Sequence, residues 1–258
     1  MAASARLAVP LRAYAILALV HLGALAAGAG ALGAISKVAL MPALYLSVKQ
    51  TTRRPVSKWW SAAIALSWLG DVLLLRHAGS GLGISARSAF LLGLASFLLA
   101  HGCYIRRASR LRRAIAADAE PEPTASLRRE RDTTAAWVRV GLAALTVGFL
   151  LAALKLVPWA LVLGTPVLLA GSVYAVVLLA MAAAMGRLAR RRPAYRLAAV
   201  VAVLFVVSDA IIGLGLVRPS LFSPSSHQLL VMAPYVLAQA GLSVLAREGD
   251  TDEGAIGE

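Results

Sequence analysis

The chain has 258 residues, of which 60% are hydrophobic and only 15% are charged, and its mean hydropathy is +0.77. A soluble domain carries about 25% charged residues, so this composition excludes a soluble globular protein. The net charge of +14 does not indicate nucleic-acid binding, because the basic residues stand between apolar stretches. The single cysteine, Cys103, excludes an intramolecular disulfide.

Eight stretches are long and apolar enough to cross a bilayer, which needs about 20 apolar residues per helix. In chain order they are residues 9–32, 33–48, 59–75, 88–105, 138–154, 158–185, 196–216 and 228–246. None shows the alternation of period two that a membrane barrel requires. The sequence therefore predicts an all-α, polytopic bundle of about eight transmembrane helices. Thr165-Pro166 predicts a break or kink in the sixth stretch, since proline removes a backbone donor.

The distribution of Lys and Arg predicts the orientation of these spans. Of the 26 basic residues, 21 fall at the chain ends or in alternate connections, and 5 fall on the opposite side. The positive-inside rule then places both termini in the cytoplasm. We predict one transmembrane domain over residues 1–246, with a flexible cytoplasmic loop at 106–137, and a disordered acidic tail at 247–258.

The positions of the acidic residues are the most informative feature. Of the 12 Asp and Glu residues, all but Asp71 and Asp209 lie in the segments 118–132 and 248–258. These two lie inside the third and seventh spans, where a carboxylate costs at least a few kcal/mol. An interhelical hydrogen bond is the structural alternative. Because two isolated acids are harder to explain in this way than one, we interpret the pair as functional.

The two carboxyls are predicted to lie at similar depths. At ~1.5 Å per residue, Asp71 lies roughly 18 Å from the cytoplasmic start of its span, and Asp209 roughly 20 Å from that of its own. Both spans run outward from the cytoplasm. If the two helices are neighbours, the carboxyls face each other across one cavity.

Other polar residues in the spans extend this candidate site. His101 lies on an aromatic stripe of the fourth span, where it needs a polar partner if it is buried. The members of that stripe are Phe90, Gly93, Phe97, His101 and Tyr104. In general such a stripe is more often packing than pocket. In the eighth span, Tyr235 and Gln239 are one helical turn apart and share a face.

Three further residues belong to the predicted site. Ser67 lies one turn before Asp71, and Gly70 permits close approach of another helix. Ser208 is placed to bond either Asp209 or its own helix backbone. Lys37, near the external end of the second span, either snorkels to the interface or pairs with a carboxylate or a phosphate.

Metal and cofactor chemistry is not indicated by any motif. The four histidines have no ligand spacing, so a metal is conceivable only through Asp71, Asp209 and His101 together. There is no P-loop, no dinucleotide-binding glycine pattern and no Gly-x-Ser-x-Gly elbow. We predict neither a metal nor a cofactor.

The same residues carry a resemblance to a known family. The segments SWLGDVLLL (67–75), FLLGLASFLLAHGCYI (90–105), LFVVSDAIIGL (204–214) and YVLAQ (235–239) resemble the YhhN family of membrane proteins, which includes the lysoplasmalogenases. The motifs match in order and run through most of the chain. Lys37 is followed by Val38 where family members usually have proline.

The resemblance implies an eight-helix enzyme that hydrolyses the vinyl-ether bond of lysoplasmalogens. Asp71 and Asp209 are then the catalytic acid and base, in an order the sequence leaves open, and His101 orients one of them. The implied substrate-binding residues are Lys37, Ser67, Tyr104, Ser208, Tyr235 and Gln239. A single-chain phospholipid is the expected substrate, and the bacterial inner membrane is the expected location.

Two other functions remain open at this point. A proton-coupled transporter also uses intramembrane Asp and His residues. Its distinguishing result is pH-dependent flux without any aldehyde product. A purely structural protein leaves the two acids unexplained.

Overall fold

The computed structural model describes residues 11–52, 55–75, 83–117 and 165–247, which are helical and contain no strand. Eight α-helices follow one another within these ranges. They are α1 (Leu11–Ala26), α2 (Gly30–Thr51), α3 (Lys58–Leu73), α4 (Ala86–Ala117), α5 (Thr165–Arg191), α6 (Arg196–Val217), α7 (Pro224–Leu242) and α8 (Val244–Arg247). Short 3₁₀ turns at Pro193–Tyr195 and Pro219–Leu221 precede and follow α6. The predicted all-α class is confirmed.

Within the described ranges, five helical segments are long and apolar enough to cross a membrane. They are Gly30–Thr51, Ala86–Ala117, Leu169–Arg191, Pro193–Val217 and Pro224–Ala246. The shorter helix α1 is also apolar. Large aliphatic side chains such as Leu19, Val176 and Leu237 are more than half exposed, whereas Asp71, His101 and Gln239 are buried. Apolar groups outside and polar groups inside are the arrangement of a bundle in lipid, so the chain is a polytopic integral membrane protein.

The first seven helices pack in a closed ring. Each is in contact with the next along the chain, and α7 returns to α1. In this ring α3 and α6 lie on opposite sides, so these two helices, whose adjacency the sequence left open, are not neighbours. Their carboxyls nevertheless face the same interior and are close enough to interact electrostatically. A ring brings distant helices into contact through side chains that point toward its centre.

The first predicted span differs from the structure, and two other predictions fall on residues outside the described ranges. The first span ends earlier than predicted, because α1 stops at Ala26 and Gly28 adopts a φ of 66°, a conformation that glycine tolerates. The predicted fifth span, 138–154, lies outside the described residues. The predicted break at Thr165-Pro166 stays a prediction, since the residues before Thr165 also lie outside them.

The predicted flexible loop at 106–137 is wrong at its beginning, because α4 continues to Ala117. Its arginines make tertiary contacts that stabilise the extra turns. The guanidinium groups of Arg106 and Arg110 lie 5.3 and 5.5 Å from the ring centroid of Trp59, within cation–π range. Arg107 is buried and donates a hydrogen bond to the Leu245 carbonyl at 2.9 Å. The rest of the loop and the tail beyond Arg247 lie outside the described residues.

These contacts bring together three helix ends that the sequence assigns to the cytoplasm: the start of α3, the end of α4 and the region after α7. We therefore expect a cysteine at position 126 to be cytoplasmic and one at position 80 to be external. In a Cys103→Ser background, Ser80→Cys should react with an impermeant maleimide in intact spheroplasts. Ser126→Cys should react only after permeabilisation. Equal labelling of both in intact spheroplasts would contradict the positive-inside assignment.

Gly70 allows α3 and α4 to approach closely beside the polar interior. A Cβ added at Gly70 would lie 2.6 Å from the Phe97 ring, so the ring would have to move. We expect Gly70→Ala to destabilise the protein by about 1–3 kcal/mol, as overpacking does. Gly213→Ala is the matched control, since no atom lies within 4 Å of its added Cβ. Thermal unfolding in detergent measures both; equal midpoints would show that the α3–α4 contact is not tightly packed.

Candidate active site

Asp71 is held by two donors from different helices. It is 2% exposed. Lys37 Nζ, on α2, lies 3.4 Å from Oδ1, and the Tyr235 hydroxyl, on α7, donates to Oδ2 at 2.6 Å. Both oxygens of the Asp71 carboxyl therefore have a partner, one an ammonium and the other a hydroxyl donor.

A chain of hydrogen bonds extends from Asp71 into the bundle. Gln239 Nε2 donates to the Tyr235 hydroxyl oxygen at 3.3 Å, and the Tyr104 hydroxyl donates to Gln239 Oε1 at 2.7 Å. All three side chains are buried. The chain fixes the direction of the Tyr235 hydroxyl, whose single proton goes to Asp71. Tyr104, Gln239 and Tyr235 thus form one hydrogen-bonded chain that ends at Asp71. Their predicted role in substrate binding stays a prediction.

Asp209 has a different environment. The Tyr174 hydroxyl, on α5, donates a hydrogen bond to Oδ2. His101 Nε2, on α4, lies 3.0 Å from the same hydroxyl oxygen and 3.9 Å from Oδ2. No described Lys or Arg forms an ion pair with Asp209, and its side chain is 11% exposed. The two carboxyls therefore differ in charge environment and in access.

Aromatic rings join the two carboxyl networks. The Phe205 ring packs edge-on against His101 at a centroid distance of 4.8 Å and against Tyr235 at 5.4 Å. Phe97 packs edge-on against the other side of Tyr235 at 6.1 Å. These contacts keep Tyr235 and His101 from rotating freely. The predicted aromatic stripe of α4 therefore forms part of the wall of the site.

The remaining predicted residues have mixed outcomes. Of the two roles predicted for Lys37, the structure shows the pairing with a carboxylate, that of Asp71, and not snorkelling to the interface. Ser208 uses its one proton to donate to the Val231 carbonyl at 3.0 Å. It therefore links α6 to α7 and donates to neither of the two predicted partners, Asp209 or its own helix backbone. Ser67 is buried, and its Oγ has no partner among the described residues. Its role in substrate binding stays a prediction.

Tyr174 is the principal site residue that sequence reasoning missed. It is the only tyrosine of the sixth predicted span, in a segment that has no charged residue. A phenol in such a segment requires a hydrogen-bond partner when buried. That signal was available, but the identity of the partner depended on the packing of α5 against α4 and α6.

A metal centre and a surface groove are the alternatives to this interior as the place of the chemistry. Within the described residues, no three His, Cys, Asp or Glu side chains converge as metal ligands do. A groove of about 340 Å³ is lined by Gly102, Ile105, Arg106, Ser109, Arg112 and Arg113. Its described lining residues all belong to α4 and include no carboxyl or imidazole, so they supply no acid–base pair. The ring interior around Asp71 and Asp209 is the candidate active site.

Comparison with known proteins agrees with this architecture. Neither a curated protein nor a solved structure matches the chain. The sequence model of the YhhN family matches residues 32–245, a range that contains both carboxyls, His101, Tyr174 and the Tyr235–Gln239 pair. That range covers most of the chain. The protein is a member of the YhhN family.

Proposed function

We propose that this protein is a membrane hydrolase that cleaves the vinyl-ether bond of lysoplasmalogen-type lipids to a fatty aldehyde and a glycerophospho-alcohol. The observation that carries the proposal is the pair of carboxyls facing one interior, of which only Asp71 is paired with a described cation. Membership of the YhhN family and the resemblance of its motifs to those of lysoplasmalogenases support it.

Vinyl-ether hydrolysis requires two different groups. The slow step is protonation of the alkenyl carbon that does not bear oxygen, which produces an oxocarbenium ion. A proton donor must therefore be available near neutral pH, together with a negative charge that stabilises the cation and directs water. Glycosidases divide the same two tasks between two carboxyls around a similar transition state.

The environments of the carboxyls support a division of these roles. Asp71, with Lys37 and Tyr235 as donors, serves as the carboxylate that stabilises the cation and takes a proton from water. Asp209 lacks a described cation at hydrogen-bonding distance and is partly exposed. On this difference in surroundings we assign Asp209, which has no described cation beside it, as the acid.

The protons balance over one cycle. Asp209 gives its proton to carbon, and water adds to the oxocarbenium carbon while Asp71 accepts the proton that water loses. The product is a hemiacetal. As the bond to the glycerol oxygen breaks, Asp71 returns its proton to that oxygen, and the hemiacetal hydroxyl proton passes to Asp209. Both carboxyls are then restored, and one water has been consumed.

A lipid substrate is consistent with a site at this depth, because a single acyl-like chain can remain within the hydrocarbon region. The surrounding membrane lipids are the protein's immediate partners, and the motifs and charge pattern support no nucleic-acid partner. The Gly- and Arg-rich composition supports a bacterial inner membrane as its location.

Aldehyde release tests the proposal. Purified protein in nanodiscs is incubated with a 1-alkenyl lysolipid, with its saturated 1-alkyl analogue and with a 1-acyl analogue, at the same concentration. We expect a stoichiometric fatty aldehyde and glycerophospho-alcohol from the alkenyl lipid alone, because the saturated ether has no carbon to protonate. Fatty acid released from the acyl lipid at a similar rate would indicate an esterase instead.

A further inference from the structure

The Tyr174 hydroxyl contacts both Asp209 and His101, and it cannot donate a hydrogen bond to both. It contacts Asp209 Oδ2 and lies 3.0 Å from His101 Nε2. A phenol has one proton to donate. If that proton goes to Asp209, then Nε2 must carry a proton and donate to the phenol oxygen. If it goes to Nε2, then Nε2 is bare and Asp209 must donate to the phenol.

Burial of the imidazole distinguishes these arrangements. His101 is 0% exposed, and its Nδ1 has no hydrogen-bond partner among the described residues. In the second arrangement Nδ1 carries the proton, which leaves a buried N–H donor without an acceptor. In the first arrangement Nδ1 is a bare acceptor. Orphaned buried N–H groups are rarer than under-satisfied acceptors, so the first arrangement is favoured.

The first arrangement has a consequence for Asp209. Oδ2 accepts from Tyr174 and is therefore not the oxygen that carries the acid proton. No described residue donates to Oδ1, and this oxygen is left for the proton that is transferred. The imidazole sets the direction of the phenol, and the phenol sets which carboxyl oxygen is protonated.

We infer that Tyr174 and His101 are positioning residues that present the acid proton of Asp209 on Oδ1, with His101 as the neutral tautomer protonated at Nε2. This inference rests on the proposed function. In it, the role of Tyr174 is to orient the carboxyl group of Asp209. Without the phenol, either oxygen of Asp209 can hold the proton, and in some of the protein molecules the acid proton is on Oδ2 instead of Oδ1.

Two amide isosteres of histidine separate this role from packing. The glutamine amide nitrogen reaches the position of Nε2, whereas the asparagine nitrogen reaches only that of Nδ1. We expect His101→Gln to retain at least about tenfold more activity than His101→Asn. His101→Asn and Tyr174→Phe should each lower kcat by roughly 10- to 100-fold with little change in KM, the cost of a misoriented catalytic group. Equal losses in the Gln and Asn variants would overturn the inference, as would full activity of Tyr174→Phe.

A spectroscopic measurement on the wild type does not depend on hydrolysis. The protein is labelled with ¹⁵N-histidine, and the His101 resonances are assigned from the spectrum of His101→Gln. We expect a protonated Nε2 and a bare Nδ1 at neutral pH. A proton on Nδ1, or on both nitrogens, would overturn the proposed orientation. Failure of the wild type to release aldehyde would instead refute the proposed function, so the two failures are distinguishable.

Discussion

Asp209→Asn is expected to lower the rate of aldehyde release by at least about 100-fold, with little loss of folded protein. General acid catalysis contributes typically 10²–10⁴-fold, and an amide has no proton acidic enough to transfer to carbon. Asparagine keeps the size of the side chain, and its carbonyl oxygen can still accept from Tyr174. The fold around Asp209 should therefore survive while the chemistry is lost. Initial rates at saturating lysoplasmalogen measure the effect.

A matched control distinguishes the loss of the catalytic acid from the loss of a carboxyl elsewhere in the protein. Asp250→Asn removes a carboxyl from the predicted tail, eleven residues beyond Gln239, the last proposed site residue, and should leave the rate unchanged. Thermal unfolding of both variants should coincide with that of the wild type within about 1 kcal/mol. An Asp209→Asn variant that keeps most of its activity would show that Asp209 only bonds helices together.

Asp71→Asn is expected to lower both activity and stability. The rate should fall by at least about 100-fold, because the negative charge that stabilises the cation and receives the proton of water is lost. The Lys37 ammonium, whose side chain is 18% exposed, is left without its partner. Breaking a fully buried pair costs about 3–5 kcal/mol, and partial exposure of Lys37 reduces this to about 1–3 kcal/mol.

A second substitution separates these two losses. In Asp71→Asn/Lys37→Met the unpaired charge is gone, and we expect thermal stability to recover while activity stays low. Asp71→Asn/Asp209→Asn should be only slightly slower than either single variant, because groups that act as a unit are not additive. Recovery of activity together with stability would mean that Asp71 is a structural anchor for Lys37.

Much of the fold and part of the site follow from the sequence, because a polar group in an apolar stretch is conspicuous. Asp71 and Asp209 were identified by their isolation from the other acids. Tyr235 and Gln239 share a helical face by spacing alone, and the structure brings both to Asp71. Exposing a polar side chain to lipid costs free energy, so the polar side chains of the spans face one another inside the bundle.

The rest depended on which helices are neighbours, which a single sequence does not specify. Tyr174 reaches Asp209 only because α5 packs between α4 and α6. For the same reason Ser208, adjacent to Asp209 in sequence, donates to α7 instead. The sequence also left open whether α3 and α6 are neighbours. They are not, and the ring brings side chains from these opposite helices toward one interior without contact between their backbones.

The beginning of the predicted loop was missed for another reason. Hydropathy marks where a helix leaves the hydrocarbon region, and it does not mark where the helix ends. Beyond Tyr104 the sequence becomes basic, yet α4 continues to Ala117. Arginine is a good helix former, and the spacing of Arg106 and Arg110 by one turn places both on the Trp59 ring.

Deuterium transfer to carbon tests the central claim most directly. Wild-type protein hydrolyses the alkenyl lysolipid in D₂O, and the aldehyde is reduced at once with borohydride to prevent later exchange. We expect one deuterium on the carbon next to the former aldehyde carbon, because protonation at that carbon by Asp209 begins the reaction. Aldehyde lacking this deuterium, or no aldehyde from protein that is folded in nanodiscs, would contradict the account.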